Sequence, residues 1–297
     1  MKVNVTKYAK IYFIISLSII LIGLIFIFTK GLNFGIDFRG GTIITIELGQ
    51  EFNTDDIRII TDQYDKSADI TYAGEDKTQV MISTKIDLTE NQRKEMFSQF
   101  QDEYNLDDEA LLSIDKVSAT IGDEMKEQSL WAILAVVICI LIYVTFRFEF
   151  LFGIAAIICL AHDILIVISV YAISQIQVNT PFIAAVLTIL GYSINDTIVV
   201  FDRIRENRKR YGKYDYAALV NDSIAQTLRR SINTTITTLI AITTLYVLGV
   251  ASIKDFALPL IVGFLSGAYS SIFIASPLWY IFKEKSVKNK KVKPVRR

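Results

Sequence analysis

Six continuous apolar stretches constrain the fold of this chain more than any other feature of its sequence. Each is about long enough to cross the roughly 30 Å hydrocarbon core of a bilayer. Hydrophobic residues make up 52% of the 297 positions, and they are concentrated in these stretches. The sequence therefore predicts a polytopic α-helical membrane protein with six transmembrane helices, at residues 11–29, 130–146, 150–173, 181–201, 232–250 and 256–282.

Charge is distributed unevenly along the chain, although the formal net charge is zero. Residues 30–128 contain 10 Lys or Arg against 22 Asp or Glu, so this segment carries −12 and the remainder carries +12. The basic clusters precede the first crossing and follow the second, fourth and sixth, which puts them all on one side of the membrane. The positive-inside rule assigns that side to the cytoplasm. We expect both termini to be cytoplasmic and the acidic segment to be outside.

These patterns divide the chain into four parts. We expect a cytoplasmic N-terminus and first helix, an extracytoplasmic (periplasmic) domain, a five-helix bundle with a cytoplasmic loop at 202–231, and a basic cytoplasmic tail near anionic lipid. We expect the first crossing to be a retained membrane anchor and not a cleavable signal, because its apolar run of about 19 residues ends without a small-x-small cleavage site. The boundaries are 1–29, 30–128, 129–282 and 283–297.

The outer segment shows alternating and helical patterns in place of apolar runs. Residues 41–48, 68–74, 78–85 and 110–117 are typical of strands. Helices are predicted after Asn53 or Thr54 and after Thr89, where side chains can cap a first turn. The order β-α-β-β-α-β predicts an α+β ferredoxin-like domain between the first and second transmembrane helices. This fold does not itself indicate an activity.

Three ionisable residues fall within or at the ends of the apolar stretches. Asp163 lies mid-way along the third, Asp196 in the inner half of the fourth, and Arg230 at the inner end of the fifth. A charged side chain at a helix centre costs about 2.5–3.5 kcal/mol on the insertion scale and usually faces protein or water. Asp163 would be about 20 Å and Asp196 about 9 Å from the inner boundary. The staggered depths favour a relay over a shared metal site.

The fourth stretch contains a polar arc that we expect to face protein. At about 100° per residue, Gly191, Tyr192, Asn195 and Asp196 fall within roughly 140°, and the residues opposite them are Ile194, Ile198 and Phe201. Gly191 would admit a neighbouring helix, and Asn195 could hydrogen-bond the carboxyl. Asp196 is either a functional carboxyl or a structural polar lock. Arg230 is either part of an ion path or a topology anchor.

Other chemical signatures are missing from the sequence. There is no phosphate-binding loop, nucleophile elbow or H-E-x-x-H motif, so enzymatic activity is not predicted. His162 is the single histidine, which makes a histidine metal site improbable and leaves helix contact or a proton-path role for that residue. We predict no cofactor, no metal and no nucleic-acid partner. The expected energy source is a transmembrane ion gradient, and the residues do not distinguish H⁺ from Na⁺.

Three stretches resemble the SecF subunits of the SecD/SecF family, within the resistance-nodulation-division superfamily. They are GLNFGIDFRGGT (31–42), AHDILI (161–166) and GYSINDTIVVFDRIREN (191–207). The resemblance covers nearly the whole chain. The glycine-rich outer motif is also similar to one in the partner subunit SecD, whereas the long motif of the fourth crossing is highly specific.

This resemblance implies an auxiliary subunit of the Sec preprotein translocase. Together with SecD, it would use the proton-motive force to promote the late, ATP-independent stage of export through the SecYEG channel. The family implicates an aspartate and an arginine in proton passage, at the positions of Asp196 and Arg230. Further implied partners are YajC, the translocating preprotein and membrane lipids, in the bacterial inner membrane. The outer motif includes Asp37, Arg39, Gly40 and Gly41, where Asp37 and Arg39 could pair or form a solvated linker.

Two other functions compete with this hypothesis. A half-transporter exporting small molecules or lipids is consistent with the same superfamily, whose exporters commonly carry about twelve crossings in one chain. A membrane-tethered scaffold could instead hold the emerging chain without ion flow. A buried carboxyl at Asp196 argues against the scaffold.

Overall fold

The computed structural model describes residues 4–74, 76–211 and 215–292. Within these ranges the helices are α1 (Val5–Lys30), α2 (Ile36–Arg39), α3 (Thr54–Thr61), α4 (Glu90–Tyr104), α5 (Ala119–Arg147), α6 (Phe150–Ser174), α7 (Thr180–Asn207), α8 (Tyr216–Leu248), α9 (Ala251–Ser270) and α10 (Ser276–Val292). The strands are β1 (Gly41–Glu47), β2 (Asp69–Ala73), β3 (Gln79–Thr84) and β4 (Leu111–Val117).

The structure confirms six helical segments that are long and apolar enough to span a membrane. They are α1, α5, α6, α7, α8 and a sixth segment, Ile253–Lys288, in which α9 and α10 are joined by a π-helical turn at Ser271–Ala275. The chain is therefore a multi-pass membrane protein. Residues of the predicted basic tail beyond 292 lie outside the described residues.

Burial separates the six spans into a centre and a periphery. Half of the residues in the most apolar windows of α6 and α7 are buried, and 61% are buried in the sixth span, compared with 6% in α5 and 11% in α8. Helices α6, α7 and the sixth span therefore form the centre of the bundle. Helices α1, α5 and α8 leave most of their apolar surface free for lipid or for other subunits.

The segment 202–231, which was predicted as a cytoplasmic loop between two crossings, is largely helical in the structure. Helix α7 continues to Asn207, and α8 already begins at Tyr216. Residues 212–214 lie outside the described ranges. The end of an apolar stretch in the sequence indicates where the chain leaves the membrane, but the helix can continue beyond that point. The side chain of Asp215 caps α8 by accepting a hydrogen bond from the Ala218 N–H.

Glu149 joins three elements at the same end of the bundle. It lies between α5 and α6, and it accepts hydrogen bonds from Lys283 Nζ at 2.7 Å and from the Arg208 guanidinium. Burial opposes ionisation of Glu149, but the hydrogen bonds from Lys283 and Arg208 outweigh it and hold the pKa below its ordinary value. This carboxylate connects the ends of α7 and α10 to the α5–α6 turn.

The outer segment folds as the predicted ferredoxin-like domain. Helix α3 is capped by Asn53, which accepts from the Asp55 N–H, and α4 begins with a reciprocal capping box between Thr89 and Gln92. The strands form one antiparallel sheet in the order β2-β3-β1-β4, as the β-α-β-β-α-β arrangement requires.

One face of this sheet packs on α3 and α4 to make the core of the outer domain. Alternate residues of β1, including Ile44 and Ile46, point into this core, as the two-residue period of a strand dictates. They contact Val80 of β3 and Phe100 of α4, and all four side chains are at most 1% exposed. Fully burying one such side chain contributes about 1.5–3 kcal/mol, so a few of them stabilise the domain substantially.

The substitution Phe100→Ala tests this core. Removing a fully buried Phe side chain is expected to lower the free energy of unfolding of the outer domain by about 3–5 kcal/mol. Pulse proteolysis in urea, applied to the membrane-embedded protein, measures the loss as a lower midpoint of cleavage within residues 41–117. The control is Ile59→Ala, because Ile59 is 71% exposed and its removal should shift the midpoint little. Equal shifts for both variants would contradict the assigned core.

Candidate functional site in the transmembrane bundle

Asp163 is the most completely enclosed carboxyl group described in the bundle. Its side chain has no exposed surface, and every oxygen has hydrogen-bond partners. Oδ1 contacts Ser266 Oγ at 2.7 Å and His162 Nδ1 at 3.0 Å. Oδ2 accepts from Ser193 Oγ at 2.6 Å and from Ser270 Oγ at 2.8 Å. Such complete bonding offsets the cost of removing a carboxyl group from water.

Small residues on α9 bring these serines to Asp163. A Cβ at Gly263 would lie 2.2 Å from Ile189 Cδ1, and one at Gly267 would lie 3.1 Å from Ser193 Cβ. The four-residue spacing puts both glycines on one face of α9, where they let α7 approach closely. Ser266 and Ser270 have the same spacing on an adjacent face. The α7–α9 contact is thus what aligns hydroxyl groups from two helices around a carboxyl on α6.

Asp196 has a much less complete environment. Its Oδ1 accepts a hydrogen bond from Ser231 Oγ on α8 at 2.6 Å. Its Oδ2 is buried and has no hydrogen-bond partner within the described residues. The side chain as a whole is only partly buried. A carboxyl with one bonded and one unbonded oxygen can accept a proton without first breaking an existing bond at the unbonded oxygen.

Arg230 lies on α8 next to Ser231, and its side chain is exposed. It lines a cavity of about 860 Å³ between the ends of α7 and α8, together with Asp202, Arg203 and Glu206. No ion pair within 4.0 Å joins Arg230 to Asp196 among the described residues. The wall of this cavity also includes Ile198, Val199, Arg205, Lys209, Gln226 and Thr227. The arrangement provides a polar opening beside the turn of α7 that carries Asp196.

Further hydroxyl groups lie between the two carboxyls. Thr197 Oγ1 and Ser271 Oγ are 2.9 Å apart, and Cys159 Sγ lies 3.9 Å from Thr197. Thr197 follows Asp196 in sequence, and Ser271 follows Ser270, which binds Asp163. Ser271 opens the π-helical turn of the sixth span. π-helical turns inside α-helices are frequent at functional sites.

Within this single chain, two of the four residues of the polar arc on α7 are not covered by other described residues, so their expected contact with protein requires another chain. Gly191 and Asn195 are exposed, and a Cβ at Gly191 would have no heavy atom within 4 Å. Tyr192 does face protein, since its ring lies 4.2 Å from that of Phe264. The face that this chain buries carries Ser193, Thr197 and apolar residues that include Ile194 and Phe201, which lie on the side of α7 opposite the polar arc, as expected. Shape and hydroxyl bonding, more than polarity, determine which face of α7 this chain buries.

His162 makes the helix contact that was one of its two expected roles. Its ring is 92% buried, bonds Asp163 through Nδ1 and lies 6.3 Å from the Tyr269 ring in a stacked orientation. The other nitrogen, Nε2, has no hydrogen-bond partner within the described residues. His162 therefore orients the Asp163 carboxyl from the side opposite Ser193.

In the outer motif, Asp37 neither pairs with Arg39 within the described residues nor lies in a solvated linker, the two roles considered for it. Asp37 Oδ2 accepts a hydrogen bond from the Thr180 backbone N–H at 2.8 Å, while Arg39 is exposed. A free N–H in the first turn of α7 binds a carboxylate strongly because the helix dipole adds to the hydrogen bond.

Backbone conformation and close packing both require glycine at two positions of this motif. Gly40 and Gly41 have φ angles of 80° and 148°, which L side chains rarely adopt. A Cβ at Gly41 would lie 2.2 Å from Thr84 O, and one at Gly40 would lie 2.8 Å from Ala119 N. The motif is thus packed tightly against the end of β3 and the start of α5.

Sequence reasoning missed the serines that surround the carboxyls. Ser193, Ser266, Ser270, Thr197, Ser271 and Ser231 were not predicted as site residues. A usable signal existed in the sixth span, where Gly263, Ser266, Gly267 and Ser270 recur at helical spacing on neighbouring faces. Such spacing indicates a close helix contact, but it does not identify the partner carboxyl.

Fold and site together define a class of protein. Within the described residues this class is defined by six spans, a ferredoxin-like domain after the first span, one carboxyl at the bundle centre and a second carboxyl towards the inner end of α7. Residues 97–285 match the family model for the protein export membrane protein SecD/SecF, C-terminal, and residues 25–51 match the model for the SecD/SecF GG motif. The chain belongs to the SecD/SecF family.

Individual relatives agree with this assignment. The protein translocase subunit SecF of Sebaldella termitidis is 38% identical over 290 residues, which cover 95% of this chain and 92% of that protein. The protein translocase subunit SecDF of Bacillus subtilis is 35% identical, but the match covers 97% of this chain and 39% of that one.

A solved structure agrees as well. The crystal structure of SecDF from Thermus thermophilus, a translocon-associated membrane protein, superposes with a TM-score of 0.82 at 36% identity. The superposition covers 96% of this chain and 39% of the SecDF chain. This chain thus corresponds to about two fifths of the fused proteins.

Removing the Asp163 carboxyl should destabilise the bundle. Asp163→Ala leaves the hydroxyls of Ser193 and Ser266 and the Nδ1 of His162 without their partner, and each unpaired buried polar group costs about 1–3 kcal/mol. We expect Asp163→Ala to lower the midpoint of thermal unfolding in detergent clearly, and Asp163→Asn to lower it less. The fluorescence of Trp279, which is fully buried, reports the transition. The control is Asp102→Ala on the exposed side of α4, and a midpoint for Asp163→Ala as high as that of this control would contradict the structural role.

Proposed function

We propose that this protein is an auxiliary subunit of the bacterial Sec preprotein translocase. In this proposal it acts with SecD and uses the proton-motive force to promote the late, ATP-independent stage of export through SecYEG. The names of the relatives support the export role, because those proteins are translocase subunits. The observation that carries the mechanism is the half-bonded Asp196 beside a polar cavity.

The partner is SecD, which the fused SecDF relatives carry in the same chain as the region matched here. The exposed face of α7 supports this part of the proposal. Gly191 and Asn195 lie on a central helix, yet no described element of this chain covers them. A small residue next to an amide is typical of helix contacts within membranes, where backbones approach closely and polar side chains bond across the interface.

The proton is taken up and released by Asp196. When ionised, the carboxyl attracts the guanidinium of Arg230 in the neighbouring turn of α8, and Ser231 donates to it. When protonated, the charge is lost and Oδ2 becomes a donor that requires an acceptor. The two states favour different packings of α7 against α8. The cavity lined by Arg230 then serves as the route towards the cytoplasm.

Asp163 is the second carboxyl of the proposed path and lies nearer the outer side. The hydroxyls of Ser270, Ser271 and Thr197 lie between it and Asp196 and are candidates to relay a proton. One charge crossing 100 mV contributes about 2.3 kcal/mol. That amount shifts a two-state equilibrium roughly 50-fold, since about 1.4 kcal/mol corresponds to a factor of ten. A single proton is therefore sufficient to change the population of α7 packings substantially.

The proposed setting is the bacterial inner membrane, with both termini in the cytoplasm and residues 30–128 on the outer side. The charge distribution supports this orientation through the positive-inside rule. The outer domain would then contact the emerging preprotein, and YajC and membrane lipids complete the expected surroundings.

The substitution Asp196→Asn tests the mechanism. It should abolish the stimulation of export by an imposed proton gradient, because an amide of nearly the same shape cannot gain or lose a proton. Export driven by ATP alone and association with SecD should be unchanged. Preprotein import into vesicles containing SecYEG and the complex, with and without the gradient, measures both activities. Asp222→Asn, on the exposed surface of α8, is the matched control, and gradient stimulation that survives in Asp196→Asn would refute the mechanism.

The substitution Gly191→Leu tests the partner surface. A Leu side chain should hold the SecD helix away from α7 and reduce recovery of SecD with the purified protein at least roughly tenfold, which corresponds to 1.4 kcal/mol. The control is Ala135→Leu, at an exposed position of α5. Recovery of SecD in equal amounts with both variants would show that α7 is not the partner surface.

A further inference from the structure

The segment 33–41, which we call the outer linker, connects α1 to the outer domain and is bound to the loop between α6 and α7. Gly35 N donates to Val178 O at 2.8 Å, and Val178 N donates to Asn33 O at 2.8 Å, which forms a short parallel bridge. The amide of Asn33 donates to Gln175 O at 2.9 Å. These bonds hold the outer linker to a loop, and none of them reaches a residue of α7.

Asp37 makes the bond that does reach α7. Its Oδ2 accepts from the N–H of Thr180, the first residue of that helix, at 2.8 Å. Asn179 occupies the cap position and accepts from the Phe182 N–H at 3.1 Å. The first N–H groups of a helix lack partners within the helix and carry the positive end of its dipole. A carboxylate is therefore the side chain that binds this position most strongly.

The outer linker is rigid on its other side. Phe38 is 2% exposed and packs in one cluster with Val178 and Phe182, so α2 belongs to the core of the membrane domain. A Cβ at Gly122 would lie 2.7 Å from the Phe38 backbone, which shows how closely α5 presses on α2. The linker then enters β1 directly through Gly40 and Gly41. A displacement of the linker must therefore move the sheet of the outer domain.

We propose that Asp37 is the positioning residue that couples α7 to the outer domain, by bonding the outer linker to the first turn of the helix that carries Asp196 at its other end. This inference rests on the proposed function, in which protonation of Asp196 shifts α7. Asp37 does not touch the proton path. It ensures that the outer linker follows the helix and not only the neighbouring loop.

A second carboxylate at the same end of α7 provides a comparison within the chain. Asp255 Oδ2, on α9, accepts from Asn179 Nδ2 at 2.7 Å. This bond connects α9 to the cap of α7 and involves no residue of the outer linker. Asp255→Ala is therefore a matched variant: it removes a carboxylate from the same helix end but leaves the bond between the outer linker and α7 intact.

The test uses the complex with SecD in proteoliposomes. Nitroxide labels on cysteines introduced at Ser98 of the outer domain and at Lys254 of α9, both exposed, report the distance between domains in a Cys139→Ala background. A carbodiimide, which reacts with protonated buried carboxyl groups, reports in parallel on Asp196. Both readings are taken with and without an imposed proton gradient.

The expected results distinguish the coupling of α7 to the outer domain, reported by the label distance, from protonation of Asp196, reported by the carbodiimide. The parent protein should show a gradient-dependent change both in the label distance and in carbodiimide reaction at Asp196. Asp37→Ala should lose most of the distance change and keep the carbodiimide response, whereas Asp255→Ala should keep both. Asp37→Asn retains an acceptor without the charge, so it should show a reduced distance change. This variant decides the question if Asp37→Ala fails to assemble with SecD.

Other outcomes would overturn either the role of Asp37 alone or both that role and the proposed function. A full distance change in Asp37→Ala, or in Asp37→Asn if only that variant assembles, would show that the backbone bridge suffices and would overturn the role of Asp37. Loss of the distance change in Asp255→Ala as well would mean that any disturbance of this helix end has the same effect, which also overturns it. A parent protein in which neither reading responds to the gradient would refute the proposed function and, with it, this inference.

Discussion

The structure depends on one constraint, which is that a carboxyl group inside the hydrocarbon region must be surrounded by hydrogen-bond donors. Asp163 meets this requirement through serines of α7 and α9, and those serines can reach it only because Gly263 and Gly267 let the two helices approach. The packing of the three central spans and the bonding of one buried acid are thus a single arrangement. Loosening either of them would expose unpaired polar atoms to an apolar environment.

The two carboxyls of the bundle differ in how completely they are bonded. Asp163 is closed, and both of its oxygens are bonded by side chains from two other helices. Asp196 is partly buried, has one bonded oxygen and lies beside a polar cavity. The first acid holds the centre together, and the second has an oxygen available for a proton. Because α7 contributes to both sites, a change at Asp196 acts on the same helix that bonds Asp163 through Ser193.

The sequence predicted the elements of the fold well, because they follow from local patterns. The six spans, the outer sheet and the caps at Asn53 and Thr89 all depend on residues within a few positions of one another. The serines around Asp163 could not be predicted in the same way, since Ser266 and Ser270 are more than 100 positions away along the chain. The local spacing of apolar and polar residues contains no information about contacts between residues so far apart in the chain.

What covers the polar face of α7 could not be predicted for a related reason. Polarity indicates that a face avoids lipid, but it does not indicate whether this chain or another subunit covers it. Gly191 and Asn195 are polar or small and remain exposed in the single chain, whereas Ile194 and Phe201 pack inside it. The same limit applies to Asp37, whose neighbour in sequence suggested an ion pair while its partner is the backbone of a distant helix. Knowledge of the tertiary contacts was required in both cases.

The central claim is that Asp196 changes its protonation state during the working cycle. Isotope-edited infrared difference spectroscopy of the reconstituted complex tests it most directly, by following the C=O band of protonated carboxyl groups as a proton gradient is applied and removed. The account predicts a band that appears and disappears with the gradient and is absent in Asp196→Asn. A carboxyl spectrum that stays constant throughout the gradient cycle, or a band that persists unchanged in Asp196→Asn, would contradict the account.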